Sequence, residues 1–221
     1  MADLPAFAEL AAAPDATIDR LALAMAAEFR EVDGAAAIAS LDTLGTDLST
    51  AAQRTTGLPE EVAAVCTEVL GATHGFEGDR EHYDDPQNSM LDLVLERRRG
   101  LPILLSVVYI EAARRAGIAL SGVGLPGHFV VGHFGANPPL LLDPFEGGGL
   151  IDSQFPVGAV RPWTAHEIAM RMLNNLVSSY QRRGDLTGAI RAAELRVLLP
   201  APEALRDTVA TELRTLQARL N

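Results

Sequence analysis

The sequence predicts an α+β fold, with helices at both ends of the chain and a small antiparallel sheet between them. Three observations predict it. The first 75 residues are Ala- and Leu-rich with apolar positions at helical spacing. Three short β-branched or apolar runs, near 119–123, 128–134 and 139–143, are separated by Gly- and Pro-containing turns. From Thr164 the helical period returns, opened by Thr164-Ala165-His166-Glu167, a capping box.

In chain order, Asp15 is placed to cap a helix carrying Ile18, Leu21, Met25 and Phe29. A second helix runs from Gly34 to about Arg54, and a third from Pro59 to about Thr73. Cys66 lies inside that third helix among Val62, Val65, Val69 and Leu70, the place of a small buried hydrophobe. Residues 75–89, GFEGDREHYDDPQNS, are polar and read as a loop. Asn88 or Ser89 then caps a helix to about Arg97. Pro102 suits the first turn of the next helix, Ile103 to Arg115, and Gly117 ends it. After the three strands and a Gly-rich loop at 146–149, a helix should bury Ile168, Met172, Leu176 and Tyr180 on one stripe. Gly184-Asp185 turns the chain into a further helix, Pro200 and Pro202 break it, and a last helix ends near Leu220. The segments are a helical part at 1–75, a core at 76–160 and a tail at 161–221 that packs on the core.

Composition narrows the function. Net charge is −11, against nucleic-acid surfaces and anionic membranes. One cysteine allows no intrachain disulfide. MADLPAFAELAAAP lacks a basic stretch, and no apolar run approaches the roughly twenty residues of a span. A soluble cytoplasmic protein is expected. With no lysine in the chain, a Walker-type phosphate loop is excluded. Gly122-Val123-Gly124-Leu125-Pro126-Gly127 spells GxGxxG, but no helix opens after it, so it reads as a β connection. No cofactor is expected.

His128 begins one strand, and Asp143 closes the apolar run Leu140-Leu141-Leu142. Adjacent strands would set imidazole beside carboxylate, the orienting pair of Cys-His-Asn and Ser-His-Asp sites. The alternative is a histidine satisfying a strand end and an aspartate capping a turn. His133, five residues on, faces the other way and shares no metal with His128. His74, His82 and Asp84 match no metal-ligand spacing.

With the stretches DPQNS, RRRGLPI, PGHF and LDPF in that order, the chain resembles the transglutaminase-like superfamily over about residues 68–200. More closely it resembles the bacterial SirB-type subgroup, whose core carries a tetratricopeptide-like tail. The resemblance implies a papain-like core, a helix packed on a small antiparallel sheet, with a Cys-His-Asp triad across the seam. His128 matches the histidine and Asp143 the aspartate. The superfamily's cysteine stands at the N-terminus of the helix before the histidine strand, and that place falls here on Pro102 or Ile103. Neither is a nucleophile. Ser106, one turn deeper, is a candidate replacement, or else a helix serine bonded to its own backbone.

Arg97, Arg98 and Arg99 are either a solvated helix end or an anion-recognition element. Arg97 and Arg98, with Asn88, Ser89, Pro102 and Phe145, are the candidate binding residues. The expected function is a non-catalytic module that binds a protein or peptide partner. The alternative is a hydrolase or acyl transferase using His128 and Asp143 with Ser106 or an activated water. A structural part in a regulatory complex is a third reading.

Overall fold

Helix α6, Pro102–Arg115, runs through the centre of the molecule. All its residues from Pro102 to Ala113 are buried except Ile110. A helix that is apolar on nearly every side has to be covered on every side. The rest of the chain supplies that cover. The computed structural model describes residues 4–151 and 160–220, so the end of the predicted core segment, 152–159, lies outside the described residues.

The N-terminal cover is α1 (Phe7–Ala12), α2 (Ile18–Ala27), α3 (Gly34–Ala52) and α4 (Pro59–Cys66). A π-helical turn, Thr67–Thr73, continues α4. Strand β1 (Glu77–Gly78) pairs in parallel with β2 (Arg99–Gly100), just ahead of α6. Between them lie a 3-10 turn, Pro86–Ser89, and α5 (Leu91–Arg97). The main sheet is antiparallel, in the order β3 (Ser121–Leu125), β4 (His128–His133), β5 (Leu140–Asp143) and β6 (Gly149–Leu150). Helices α7 (Ala165–Arg182), α8 (Leu186–Leu198) and α9 (Glu203–Ala218) close the chain. The α+β class is as the sequence predicts.

Local chemistry explains the boundaries. Gly117, at φ +76, ends α6. Its N–H donates to the Arg114 carbonyl, and the Ile118 N–H donates to Ala113 at 2.8 Å, the paired bonds of a Schellman cap. That cap consumes Ile118, which is why β3 starts at Ser121 and not near 119. The capping box at Thr164 is complete. Two cap assignments need correction. Thr17, not Asp15, precedes α2, and its hydroxyl donates to Asp19 at 2.5 Å. Met90 precedes α5, because Asn88 and Ser89 are taken up in the 3-10 turn, itself capped by Asp85.

The GxGxxG stretch is the β3–β4 hairpin. Leu125 pairs with His128 across Pro126-Gly127, and Gly127 has φ +71, the residues a type II turn asks for. A Cβ on Gly124 would lie 2.1 Å from the Trp163 ring. These glycines serve packing and turning, not a pyrophosphate. The tail folds back on the N-terminal helices: Ile168, Met172 and Leu176 are buried, and Tyr180 stacks on Phe29 at 5.5 Å.

Candidate functional site

Strand register brings His128 and Asp143 together. Val131 pairs with Leu142, and one step further sets Val130 opposite Asp143. His128, two residues from Val130, then lies diagonal to Asp143 on the same sheet face. The two side chains meet, with Nε2 2.7 Å from Oδ2. A carboxylate only accepts, so Nε2 carries the proton and Nδ1 of the neutral ring keeps its lone pair. The other carboxylate oxygen, Oδ1, accepts from the Phe145 N–H at 3.0 Å. Asp143 is thereby fixed at both oxygens. The imidazole is 31% exposed, so solvent and ligands can reach it. Arg171 on α7 donates to the His128 carbonyl at 3.2 Å.

The helix end beside this sheet holds no nucleophile. Pro102 occupies the first turn of α6, and Ile103 and Leu104 are buried. Ser106 is fully buried, and its hydroxyl donates to the Pro102 carbonyl at 2.8 Å, within its own helix. Cys66 is buried on α4, where desolvation pushes its thiol up to about 12. A thiol held there is protonated at neutral pH and unreactive. Next to it, burial also raises the Tyr109 hydroxyl, with Cys66 and then Asp143 adding to the shift.

Phe145 follows Asp143 in a 3-10 turn, Pro144–Glu146. Its ring meets the His128 ring edge-on at 6.4 Å, and Tyr83 lies 6.0 Å away on another side. Phe145 also walls a cleft of about 600 Å³, with Asp79, Arg80, His82, Arg99 and Glu146 among its lining. Arg80 lies over Phe145 and is paired with Glu146 at 2.5 Å.

The arginine run holds loops. Arg97 donates to Gln87 at 2.8 Å and also to Asn88. Arg98 reaches the His74 carbonyl at 2.6 Å from a left-handed backbone, φ +58. Arg99 pairs with Glu77 at 2.5 Å. Asn88 is buried, and its carbonyl accepts from the Leu101 N–H at 3.2 Å, tying the 3-10 turn to the start of α6. Ser89 is buried too, and its hydroxyl has no partner among the described residues. His133 is turned away and accepts from the Gly135 N–H at 3.3 Å. His74 pairs with Asp47, His82 approaches Asp79, and Asp84 pairs with Arg182. Each of the three thus has a different partner.

Arg171 was not readable as a neighbour of the site. It lies 43 positions from His128, and its only sequence signal is a place on a helical stripe.

With helix, sheet and His-Asp pair in place, comparison with known proteins gives the class. Residues 35–155 match the transglutaminase-like superfamily, more than half of the chain. The protein belongs to that superfamily. Among particular relatives, it is similar to a UPF0162 protein of Xylella fastidiosa, strain 9a5c, at 38% identity over 169 residues, covering 67% of this chain and 60% of that one. A UPF0162 protein of Vibrio cholerae is 29% identical over 150 residues, covering 60% and 56%. F-box only protein 21 of Mus musculus is 29% identical over 144 residues, covering 58% and 23%. The chain spans about three-fifths of the length of the Xylella relatives it matches. No solved structure matches it. The match takes in α3 and α4, upstream of residue 68, near which the resemblance read from the sequence begins. Among the described residues no helix is long and apolar enough to cross a membrane.

Proposed function

We propose that the chain is a non-catalytic transglutaminase-like module that binds a protein or peptide segment in the cleft beside His128 and Asp143. One observation carries the reading. The start of α6, where the superfamily places its thiol, offers only Pro102 and buried apolar side chains, while the single cysteine is buried and protonated. Phe145 supplies the apolar contact of the cleft. Asn88, Ser89, Arg97, Arg98 and Pro102 set the loop and helix end around it. The motif order and the α7–α8 hairpin followed by α9 support the SirB-type subgroup with a tetratricopeptide-like tail. The segment limits 1–75, 76–160 and 161–221 go with that reading.

The test is a panel of acyl substrates, thioesters, activated esters and glutamine peptides, given to the wild-type protein and to His128→Ala. No turnover above the variant's background is expected. Turnover that vanishes with His128 would sink the proposal. It would favour the second reading, a hydrolase or acyl transferase. One observation speaks for that reading: Nε2 is held by Asp143, so Nδ1 is left to act as a base on water.

A further inference from the structure

We propose that the cavity between the start of α7 and the α8–α9 connection binds a carboxylate carried on an apolar body. That is the chemistry of a peptide C-terminus or of a small apolar acid. The site is separate from the cleft at Phe145, and the proposal does not rest on how that cleft is used.

The cavity holds about 410 Å³, a size suited to a small ligand or a chain end. Trp163, Met170, Pro202 and Leu205 are among its apolar lining, and its polar members are His166, Arg171, Asn174 and the Arg161–Glu167 pair. Two of these side chains are underused. His166 Nε2 is buried and has no hydrogen-bond partner among the described residues. A buried ring nitrogen in that state is costly until a polar group of a ligand meets it. Arg171 is the second. Its guanidinium lies 5.9 Å from the ring centres of both Phe129 and Trp163. That holds the planar fork in place before any ligand arrives. One nitrogen donates to the His128 carbonyl, and no carboxylate among the described residues pairs with the rest.

The neighbouring carboxylate, Glu167, is already occupied. It takes Arg161 at 2.5 Å and the Thr164 N–H at 2.8 Å, and the Arg161 guanidinium above all lowers its carboxyl to about 2. Among the described residues the cavity therefore keeps one uncompensated guanidinium, in a chain of net charge −11. Local charge selects an anion, and the lining selects an apolar body behind it.

Trp163 is the only tryptophan of the chain, so its emission reports occupancy directly. The full chain is titrated with N-acetyl-leucine and with N-acetyl-leucinamide, and heats are measured in parallel by calorimetry. A saturable response to the acid and none to the amide is expected. Arg171→Gln should weaken binding about tenfold or more, the scale of a lost charge-assisted contact. Leu205→Glu, at an exposed α9 position, should do the same by repulsion while leaving circular dichroism unchanged. A hexapeptide ending in a free leucine carboxylate distinguishes the sources. Tighter binding than N-acetyl-leucine marks a peptide end, and equal binding marks a small acid. Three results overturn the proposal: no saturable response to the acid by either readout, an equal response to the amide, or two variants that bind as the wild type does.

Discussion

At its N-terminal end α6 presents Pro102, Ile103 and Leu104, all buried among apolar side chains. At its C-terminal end it carries Glu111, Arg114 and Arg115. Arg115 reaches Asp19 on α2, Asp42 on α3 and Glu111 on its own helix, each at 2.7 Å. Asp19 and Glu111 are almost completely buried. One end is dry apolar packing, and the other is an ionic anchor for the N-terminal helices. Different residues at the two ends of one helix thus do different jobs.

The largest expected break in this contrast is at the anchor. Arg115→Met takes the main cationic partner from buried Asp19 and leaves Glu111 with Arg114 alone, and removing one partner of such a set costs about 3–5 kcal/mol. Urea unfolding measures it. A loss below about 1 kcal/mol would put the network on a par with exposed pairs. At the dry end, Ile103→Ala should cost about 2–4 kcal/mol by leaving a cavity, with no dependence on pH.

The anchor should depend on pH in both directions. Burial, and then the Asp19 charge, raise the Glu111 carboxyl above its ordinary 4.5. A raised carboxyl gives its full contribution below the unfolded value and loses it as pH rises toward the folded one. For Asp19, burial opposes ionisation, but bonds from Thr17 and Arg115 prevail and the carboxyl lies below 3.8. Its contribution is lost as pH falls. Glu111→Gln should therefore gain on the wild type as pH rises above 4.5, read as the difference in urea midpoints. An unchanged difference would mean that the arginines cancel the burial. The smallest effect is expected at Ser106→Ala, below about 1 kcal/mol, because only a bond within one helix turn is lost. A larger loss in unfolding would give Ser106 a role its single bond does not show.

How much of this was legible follows from range. Pro102, Gly117 and the Thr164 capping box are local signals, and they placed α6 and α7 nearly to the residue. The β1–β2 pair was not visible, since two-residue strands have no period to detect. Asn88 and Ser89 looked like helix caps because cap residues and 3-10 turn residues are the same types. At the site, alternation along two strands was enough to bring His128 near Asp143. Arg171 arrives from a helix packed across the hairpin, and only tertiary packing could reveal it. The Arg97–Arg99 run showed its charge in the sequence but not its carbonyl and amide partners.

The π-helical turn at Thr67–Thr73 sets Gly71 directly against the loop after Asp143: a Cβ there would lie 1.9 Å from the Gly147 carbonyl oxygen. Thr67 donates to the next carbonyl, Gly148, at 2.5 Å, and the Gly148 N–H returns to Asp143 at 2.7 Å. Apart from the Thr67 hydroxyl, this joint is main chain against main chain. With one short β-branched side chain as its only rotamer, it works as a rigid ruler between the helical half and the sheet. The Asp143 carboxylate inherits its alignment from that ruler, and a methyl group added at Gly71 would register first as a misaimed His128.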